Sequence, residues 1–157
     1  MFTGMLHLHG ILRWLVLIVA IWAIITMASG MSGNKKFTAK EKRPALLLMI
    51  FMDIQFLVGL ILYFVGSWGY KNIMNSGMGE VMKDSYARFF GLEHAVGMFI
   101  ALILVHVGYA ITKKTDISDS KKFSKAFWFF LISLIVIIAF IPWPFREHVG
   151  RGLLPRF

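Results

Sequence analysis

The sequence predicts an all-α integral membrane protein, a single four-helix up-down-up-down bundle spanning 1–157 with both termini on the outer, periplasmic side. Its composition is 58% hydrophobic and 16% charged, whereas soluble domains are typically ~45–50% apolar and ~25% charged. Four apolar runs each reach about 20 residues, the length that crosses a hydrocarbon core. Most basic residues stand between these runs rather than inside them. This pattern excludes an ordinary soluble enzyme and a disordered tail.

Four spans are predicted, at about 10–29, 44–65, 89–112 and 126–143. The first contains one charged residue, Arg13, and the second contains Asp53. The third contains Glu93, His94 and His106, and the fourth has no charged residue. Each intramembrane polar group therefore needs a partner or a function, because a charge at the centre of a span costs at least ~2.5–3.5 kcal/mol on insertion scales.

Proline and glycine predict where the spans end. Pro44 is expected in the first turn of the second helix, where proline is tolerated. Pro142 and Pro144 are expected to end the fourth helix, since proline cannot continue the hydrogen-bond ladder. The glycine-containing segment 66–88 is predicted to be an irregular loop over the outer face. The first span lacks a basic segment before it and its apolar run is long, so no cleaved signal peptide is expected.

The distribution of Lys and Arg predicts the orientation. Segments 30–43 and 113–125 carry five basic residues each, and none precedes Arg13. Short basic loops stay in the cytoplasm, so we expect a multi-pass protein of the bacterial inner membrane with these two loops inside. The high pI of about 10.1 is then explained by membrane orientation, and no nucleic-acid partner is expected.

Several chemistries lack their residues. The chain has no cysteine, which excludes disulfides, thiolate zinc sites, iron–sulfur clusters and covalent c-type haem. No Walker A loop, dinucleotide fingerprint, nucleophile elbow or zinc-protease motif occurs. An electron carrier or an accessory subunit is therefore favoured over a stand-alone enzyme.

Histidines form a polar layer near the outer side. His9 at the start of the first helix and His94 near the start of the third are expected at similar depth. Two imidazoles from two helices are the axial ligands that bis-histidine haem b needs, and a bundle core supplies an apolar slot. His7 is the alternative ligand to His9, because residues two apart point in different directions on a helix. The alternative to ligation is histidine solvated at the interface.

Three arginines are candidates for contacts with haem propionates. Arg13 shares the face of His9 and is expected to bind either a propionate or Glu93. Arg88 and Arg146 are placed at the outer rim, as propionate ligands or as lipid-headgroup anchors. Trp14 and Trp143 are expected in the aromatic belt or in the wall of the slot.

A second polar layer lies deeper. Asp53 and His106 are predicted to form a buried hydrogen-bonded pair across the bundle, with Gln55 or Ser133 nearby. Three interpretations of this pair are open: a structural hydrogen bond, a proton relay or a second cofactor site.

A copper site is not expected. The methionines in question recur every four residues in the outer loop, with one more near the N-terminus: Met74, Met78, Met82 and Met5. Thioethers bind Cu(I), but Gly77 and Gly79 interrupt the helix that would align them.

The chain resembles the small four-helix membrane proteins of Bacteroidetes that carry the name cytochrome B. The matching stretches are HLHGILRW at 7–14, IQFLVGLILYF at 54–64, RFFGLEH at 88–94 and IPWPFR at 141–146. The resemblance implies an inner-membrane b-type haem protein in electron transfer, with ligands at His94 and at His9 or His7.

These observations lead to two functional expectations. The first is a cytochrome b-like protein with one haem near the outer face, passing electrons between quinol and a periplasmic or complex-bound acceptor. The second is a haem-free accessory subunit of a larger membrane complex, such as a respiratory complex. In that case a docking face on the fourth helix would include the aromatic run Phe127, Trp128, Phe129 and Phe130.

Overall fold

The computed structural model describes residues 2–153. This part of the chain is all-helical, with four helices long and apolar enough to cross a membrane, as predicted. The elements are α1 (Phe2–Ala28), α2 (Ala39–Val65), α3 (Tyr70–Ser76), α4 (Met78–Lys83), α5 (Ser85–Arg88), a π-helical turn (Phe89–Glu93), α6 (His94–Thr112) and α7 (Asp119–Phe140).

The four long helices form a closed ring of neighbours. Helix α1 packs on α2, α2 on α6, α6 on α7, and α7 returns to α1. Two of the three connections between the long helices are short, which favours antiparallel neighbours, and the up-down-up-down bundle is confirmed. In this ring α1 and α6 lie diagonally across the bundle.

The two ends of the bundle differ in packing. We call the end with the connections 29–38 and 113–118 the lysine end, and the opposite end, which carries His9 and His94, the histidine end. Fully buried side chains cluster in the half next to the lysine end, among them Met27, Leu48, Val105, Phe123 and Phe130. In the histidine half, α1 has no buried residue before Val16. That half is therefore open enough to hold a cavity.

Helices α6 and α7 approach closely at two glycines. A Cβ on Gly108 would overlap the ring of Phe130, and a Cβ on Gly97 would overlap the ring of Phe140. Small residues that let helices approach closely are the usual device of membrane bundles, where apolar burial does not drive association. This contact holds α7 against the start of α6.

Helix α2 begins earlier than predicted. Thr38 caps its N-terminus, with the Thr38 backbone N–H donating to Glu41 Oε2 at 3.1 Å. Pro44 is consequently the sixth helical residue, and the expectation of a first-turn proline is wrong. Its ring leaves the Lys40 carbonyl without its usual helical donor.

Helix α7 is shifted relative to the predicted 126–143. It begins at Asp119, because the Ser118 side chain caps it by accepting from Lys121 N. It ends at Phe140 because Ile141 is extended, with ψ 134°, and a residue before proline avoids the α region. Pro142 therefore ends the helix, as predicted, but three residues earlier.

The segment 66–88 is more regular than predicted. It contains α3, α4 and α5, and Gly77 separates the first two with a positive φ of 79°. Helix α1 is likewise longer than expected, since it starts at Phe2 rather than near Gly10. The glycines therefore divide this segment into short helices and do not abolish its helical structure.

Candidate functional site

A cavity of about 880 Å³ lies in the histidine half between α1, α2 and α6. Its volume falls in the range of small-molecule and cofactor pockets, ~300–1,000 Å³. Much of its wall is apolar and includes Leu6, Val16, Met52, Phe56, Leu60 and Met98. Both His9 and His94 line it.

The imidazoles of His9 and His94 meet across the cavity. Their ring centroids are 6.2 Å apart and their planes are inclined by 71°. Two metal–nitrogen bonds of ~2 Å each, together with the ring radii, separate two axial imidazoles by roughly 6 Å. His7 also lines the cavity, but the ring that lies against His94 is that of His9. The separation suits two ligands of one metal centre.

A π-helical turn positions His94. The backbone N–H of His94 donates to the Phe89 carbonyl, five residues earlier. The His94 ring bonds through Nδ1 to the Phe140 carbonyl at 2.7 Å. A carbonyl only accepts, so Nδ1 carries the proton and Nε2 keeps its lone pair. This is how carbonyl partners orient metal-binding histidines, and π-helical turns recur at functional sites.

Neighbouring helices α1 and α2 each place in the cavity wall a buried polar atom without a partner in the described part of the chain. Within residues 2–153, His9 Nδ1 and Gln55 Oε1 make no hydrogen bond. The other amide atom of Gln55, Nε2, donates to the His9 carbonyl at 3.1 Å. A buried unsatisfied group costs ~1–3 kcal/mol, so polar groups inside the cavity would stabilise these atoms.

Gly59 leaves room for the His9 ring. A Cβ at this position would come within 3.0 Å of His9 Cε1. Any larger side chain would therefore displace the imidazole or fill the cavity that Gly59 also lines. Close approach of the ring favours glycine here, since its φ is not positive.

Arg13 lines the cavity with its guanidinium only partly satisfied. Its Nη2 donates to the Leu153 carbonyl at 2.5 Å, whereas its Nε is buried and has no partner within residues 2–153. Trp14 and Trp143 flank the guanidinium at 5.4 and 6.0 Å from their ring centroids. The expected Arg13–Glu93 ion pair is wrong, because the Glu93 carboxylate contacts Arg88 Nε at 2.7 Å.

Arg88 and Arg146 lie outside the cavity wall. Besides Glu93, Arg88 donates to the Met82 carbonyl at 3.0 Å. Arg146 stacks over the Phe89 ring at 4.8 Å and donates to the Ala139 carbonyl at 3.1 Å. Both guanidinium groups are thus engaged in holding the chain around the π-helical turn.

Arg151 and Tyr63 also line the cavity, although the sequence did not predict them there. Arg151 donates to the Tyr86 hydroxyl at 2.7 Å and stacks over the Phe90 ring at 4.8 Å. Its only signal was a positive charge in the C-terminal tail. The Tyr63 hydroxyl donates to the Gly91 carbonyl at 3.0 Å, which is inside the π-helical turn and was not foreseeable from spacing.

Asp53 and His106 are paired as predicted but are not buried. Asp53 Oδ1 and His106 Nε2 are 2.7 Å apart, with 38% and 46% of the side chains exposed. The expected neighbours are elsewhere, because Gln55 bonds to the His9 carbonyl and Ser133 to the Ala101 carbonyl at 3.0 Å. The pair therefore lies on the outside of the bundle, where α2 and α6 meet.

Two other predicted groupings are dispersed by the helices. Met74 lies on α3 and is separated by Gly77 from Met78 and Met82 on α4; all three are exposed. The aromatic run on α7 is not one docking face. Phe130 is fully buried, whereas Trp128 is 54% exposed.

The donor set limits the type of metal centre. Within residues 2–153, no three His, Cys, Asp or Glu side chains come together as an ion site. Two histidines alone are too few for a structural zinc ion, which takes four ligands. They suffice where a macrocycle supplies the remaining donors, as in haem. The residues present therefore fit a haem.

No family model matches this chain, and neither a curated protein nor a solved structure matches it.

Proposed function

We propose that this protein is a cytochrome b-like electron carrier that holds one haem b in the histidine-end cavity. The observation that carries the proposal is the pair of imidazoles, His9 and His94, whose ring centroids lie 6.2 Å apart in a largely apolar cavity. His94 offers Nε2 because the Phe140 carbonyl binds its Nδ1. His9 offers a ring with a buried nitrogen that lacks a partner within residues 2–153.

The arginines of the cavity wall suit the carboxylates of the haem. Arg13 and Arg151 both line the cavity, and Arg13 has a buried Nε without a partner within residues 2–153. Guanidinium groups bind carboxylates through paired N–H donors. We therefore assign the propionate-binding role to these two residues, in place of Arg88 and Arg146.

Each wall component has a role in this assignment. When bound, haem supplies reversible one-electron transfer. The Phe140 carbonyl holds the His94 imidazole in one orientation, and Gly59 leaves space for that of His9. The positive charges of Arg13 and Arg151 favour the reduced state, and the apolar wall excludes water.

The cellular setting follows from the charge pattern and the sequence resemblance. The charge pattern favours an inner-membrane orientation with the histidine end on the periplasmic side, and the resemblance implies electron transfer by haem. In this proposal the protein passes electrons between quinol and a periplasmic or complex-bound acceptor. A haem-free accessory subunit explains the site less well, because it gives the two imidazoles at 6.2 Å in the largely apolar cavity no ligand to bind.

An absorption spectrum tests the proposal. We expect the purified full-length protein to show a reduced-minus-oxidised difference with the sharp α-band of low-spin bis-histidine haem. Extracted haem should approach one per chain. A colourless protein that takes up no added haem would refute the proposal and favour the accessory subunit.

Neutralising the two cavity arginines is expected to lower the haem midpoint potential. Arg13→Gln or Arg151→Gln removes a positive charge that stabilises the reduced state. A charge acting over ~15 Å at an effective dielectric constant of ~20 contributes ~1 kcal/mol, or roughly 50 mV for a one-electron couple. Redox titration measures the shift.

Lys71→Gln is the matched charge control for this titration. Lys71 donates to the Val65 carbonyl at 3.0 Å and does not line the cavity. Its removal is expected to leave the potential nearly unchanged. Equal shifts in all three variants would contradict a specific role for Arg13 and Arg151.

A further inference from the structure

The Asp53–His106 pair stands at an unusual place for polar groups. Asp53 lies within one residue of the midpoint of the 27-residue helix α2, which places it near the middle of the hydrocarbon layer. Both side chains are more than one-third exposed on the outside of the bundle. Polar groups at this depth normally face the bundle interior and mark functional sites.

The pair has hydrogen-bonding capacity left over. Asp53 Oδ1 and His106 Nε2 bind each other, whereas Asp53 Oδ2 and His106 Nδ1 make no hydrogen bond within residues 2–153. When the carboxylate accepts from Nε2–H of a neutral imidazole, both of the remaining atoms are acceptors. Lipid tails offer no donor, so a lipid-soluble ligand with a hydroxyl group would satisfy them.

An apolar groove of about 440 Å³ runs beside His106. Met49 of α2 and Leu102 of α6 contribute to its wall, and Tyr109 lies toward the lysine end. Lys113 Nζ sits 4.8 Å from the centroid of the Tyr109 ring. The volume is that of a small-ligand pocket, and its opening at membrane depth admits a ligand from the lipid.

The surrounding surface does not suit a second transmembrane helix. Exposed side chains one turn from the pair are large, including Ile50, Leu57 and Ile103. Helix interfaces in membranes use small residues that allow the backbones to approach. A flat ring entering the groove needs no such approach.

We propose that this groove binds the reduced headgroup of a membrane quinol, whose phenolic hydroxyl donates to Asp53 Oδ2 or His106 Nδ1. The choice of a quinol among lipid-soluble phenols rests on the proposed function. Hydrogen-bond chemistry gives the site its selectivity, because a quinone has carbonyl acceptors and no donor for these two acceptors. The reduced form therefore binds more tightly than the oxidised form.

Binding of a decyl-tailed 1,4-naphthohydroquinone and of the matching naphthoquinone tests this proposal. Affinities are measured on the full-length protein in nanodiscs, anaerobically, by quenching of intrinsic tryptophan fluorescence. We expect the hydroquinone to bind about tenfold or more tightly than the quinone in the wild type. Equal affinities for the two forms, or no binding of either, would overturn the proposal.

Asp53→Asn separates ligand recognition from a purely structural role. The asparagine oxygen still accepts from His106 Nε2–H, so the link between α2 and α6 is kept. Its NH₂ group then offers a donor where the free carboxylate oxygen was, so the preference should move toward the quinone. A structural role predicts equal loss for both forms, and that result would count against quinol recognition.

Coverage of the pair by a second copy is tested with single cysteines, since the chain has none. Ile103→Cys stands beside the pair, and Ile18→Cys, at a 62% exposed position of α1, is its control. We expect neither variant to form a disulfide-linked dimer in membranes. Selective cross-linking through position 103 would overturn the proposal, because the groove would then be a protein interface.

Recording haem content in the same samples keeps the two proposals separable. Quinol binding without haem would support this groove while refuting the electron-carrier assignment. Haem at one per chain without quinol binding would support the electron-carrier assignment and refute quinol binding in this groove.

Discussion

His94→Ala is expected to reduce the haem content from near one per chain to below about one-tenth, with loss of the low-spin spectrum. The substitution removes the imidazole whose Nε2 is the proposed ligand and whose Nδ1 is held by the Phe140 carbonyl at 2.7 Å. A haem left with one axial histidine loses the symmetrical ligation that defines the low-spin b-type centre. Extracted haem per chain and the reduced α-band measure the effect.

His148→Ala is the matched control for this loss. His148 is 72% exposed and does not line the cavity, so its removal should leave haem content unchanged. Helix content by circular dichroism and a monodisperse elution profile show that each variant is folded. A folded His94→Ala protein with the full low-spin spectrum would disprove the ligand assignment.

Gly59→Leu is expected to abolish haem binding while the bundle remains folded. Even a Cβ at this position would lie 3.0 Å from His9 Cε1, and the rest of the leucine would extend into the cavity. Overpacking of this kind typically lowers the folding stability by ~1–3 kcal/mol. The open end of a bundle tolerates this loss better than a packed end does. We expect haem content to fall more than tenfold, as measured by pyridine haemochrome assay.

Two further glycine variants define the cause of this loss. Gly59→Ala requires the His9 ring to shift by only a few tenths of an ångström, so an intermediate haem content is expected. Gly4→Leu introduces the same leucine where a Cβ meets nothing within 4 Å, so no loss is expected. If Gly59→Leu bound haem as fully as Gly4→Leu, the cofactor would have to sit elsewhere.

The uneven packing of the bundle is consistent with a ligand-dependent end. Buried side chains concentrate in the lysine half, whereas the histidine half contains the cavity. A ligand that binds only the folded state stabilises it in proportion to the logarithm of its concentration over Kd. The lysine half is thus the packed part of the bundle, and the proposed ligand would stabilise the histidine half.

Composition and local pattern alone determined the fold class of this protein. A continuous apolar run must hydrogen-bond its own backbone in lipid, so each such run becomes a helix. The two short connections, before α2 and before α7, then favour antiparallel neighbours. The pairing of Asp53 with His106 was also predictable, because residue counts along α2 and α6 place them at similar depth. The helix ends were less predictable, because capping by Thr38 and Ser118 extends α2 and α7 beyond the apolar runs.

Only the tertiary structure decided which polar groups share a site. The sequence placed histidines at one level, but helix rotation brings His9 against His94 and turns the Asp53–His106 pair outward. A chain reversal after Pro142 brings Arg151 to the cavity, which linear spacing does not encode. The π-helical turn adds a residue before His94 and so resets its direction. The rotation of the helices, the chain reversal after Pro142 and the π-helical turn all depend on packing between helices. They are therefore set by contacts between residues distant in the chain.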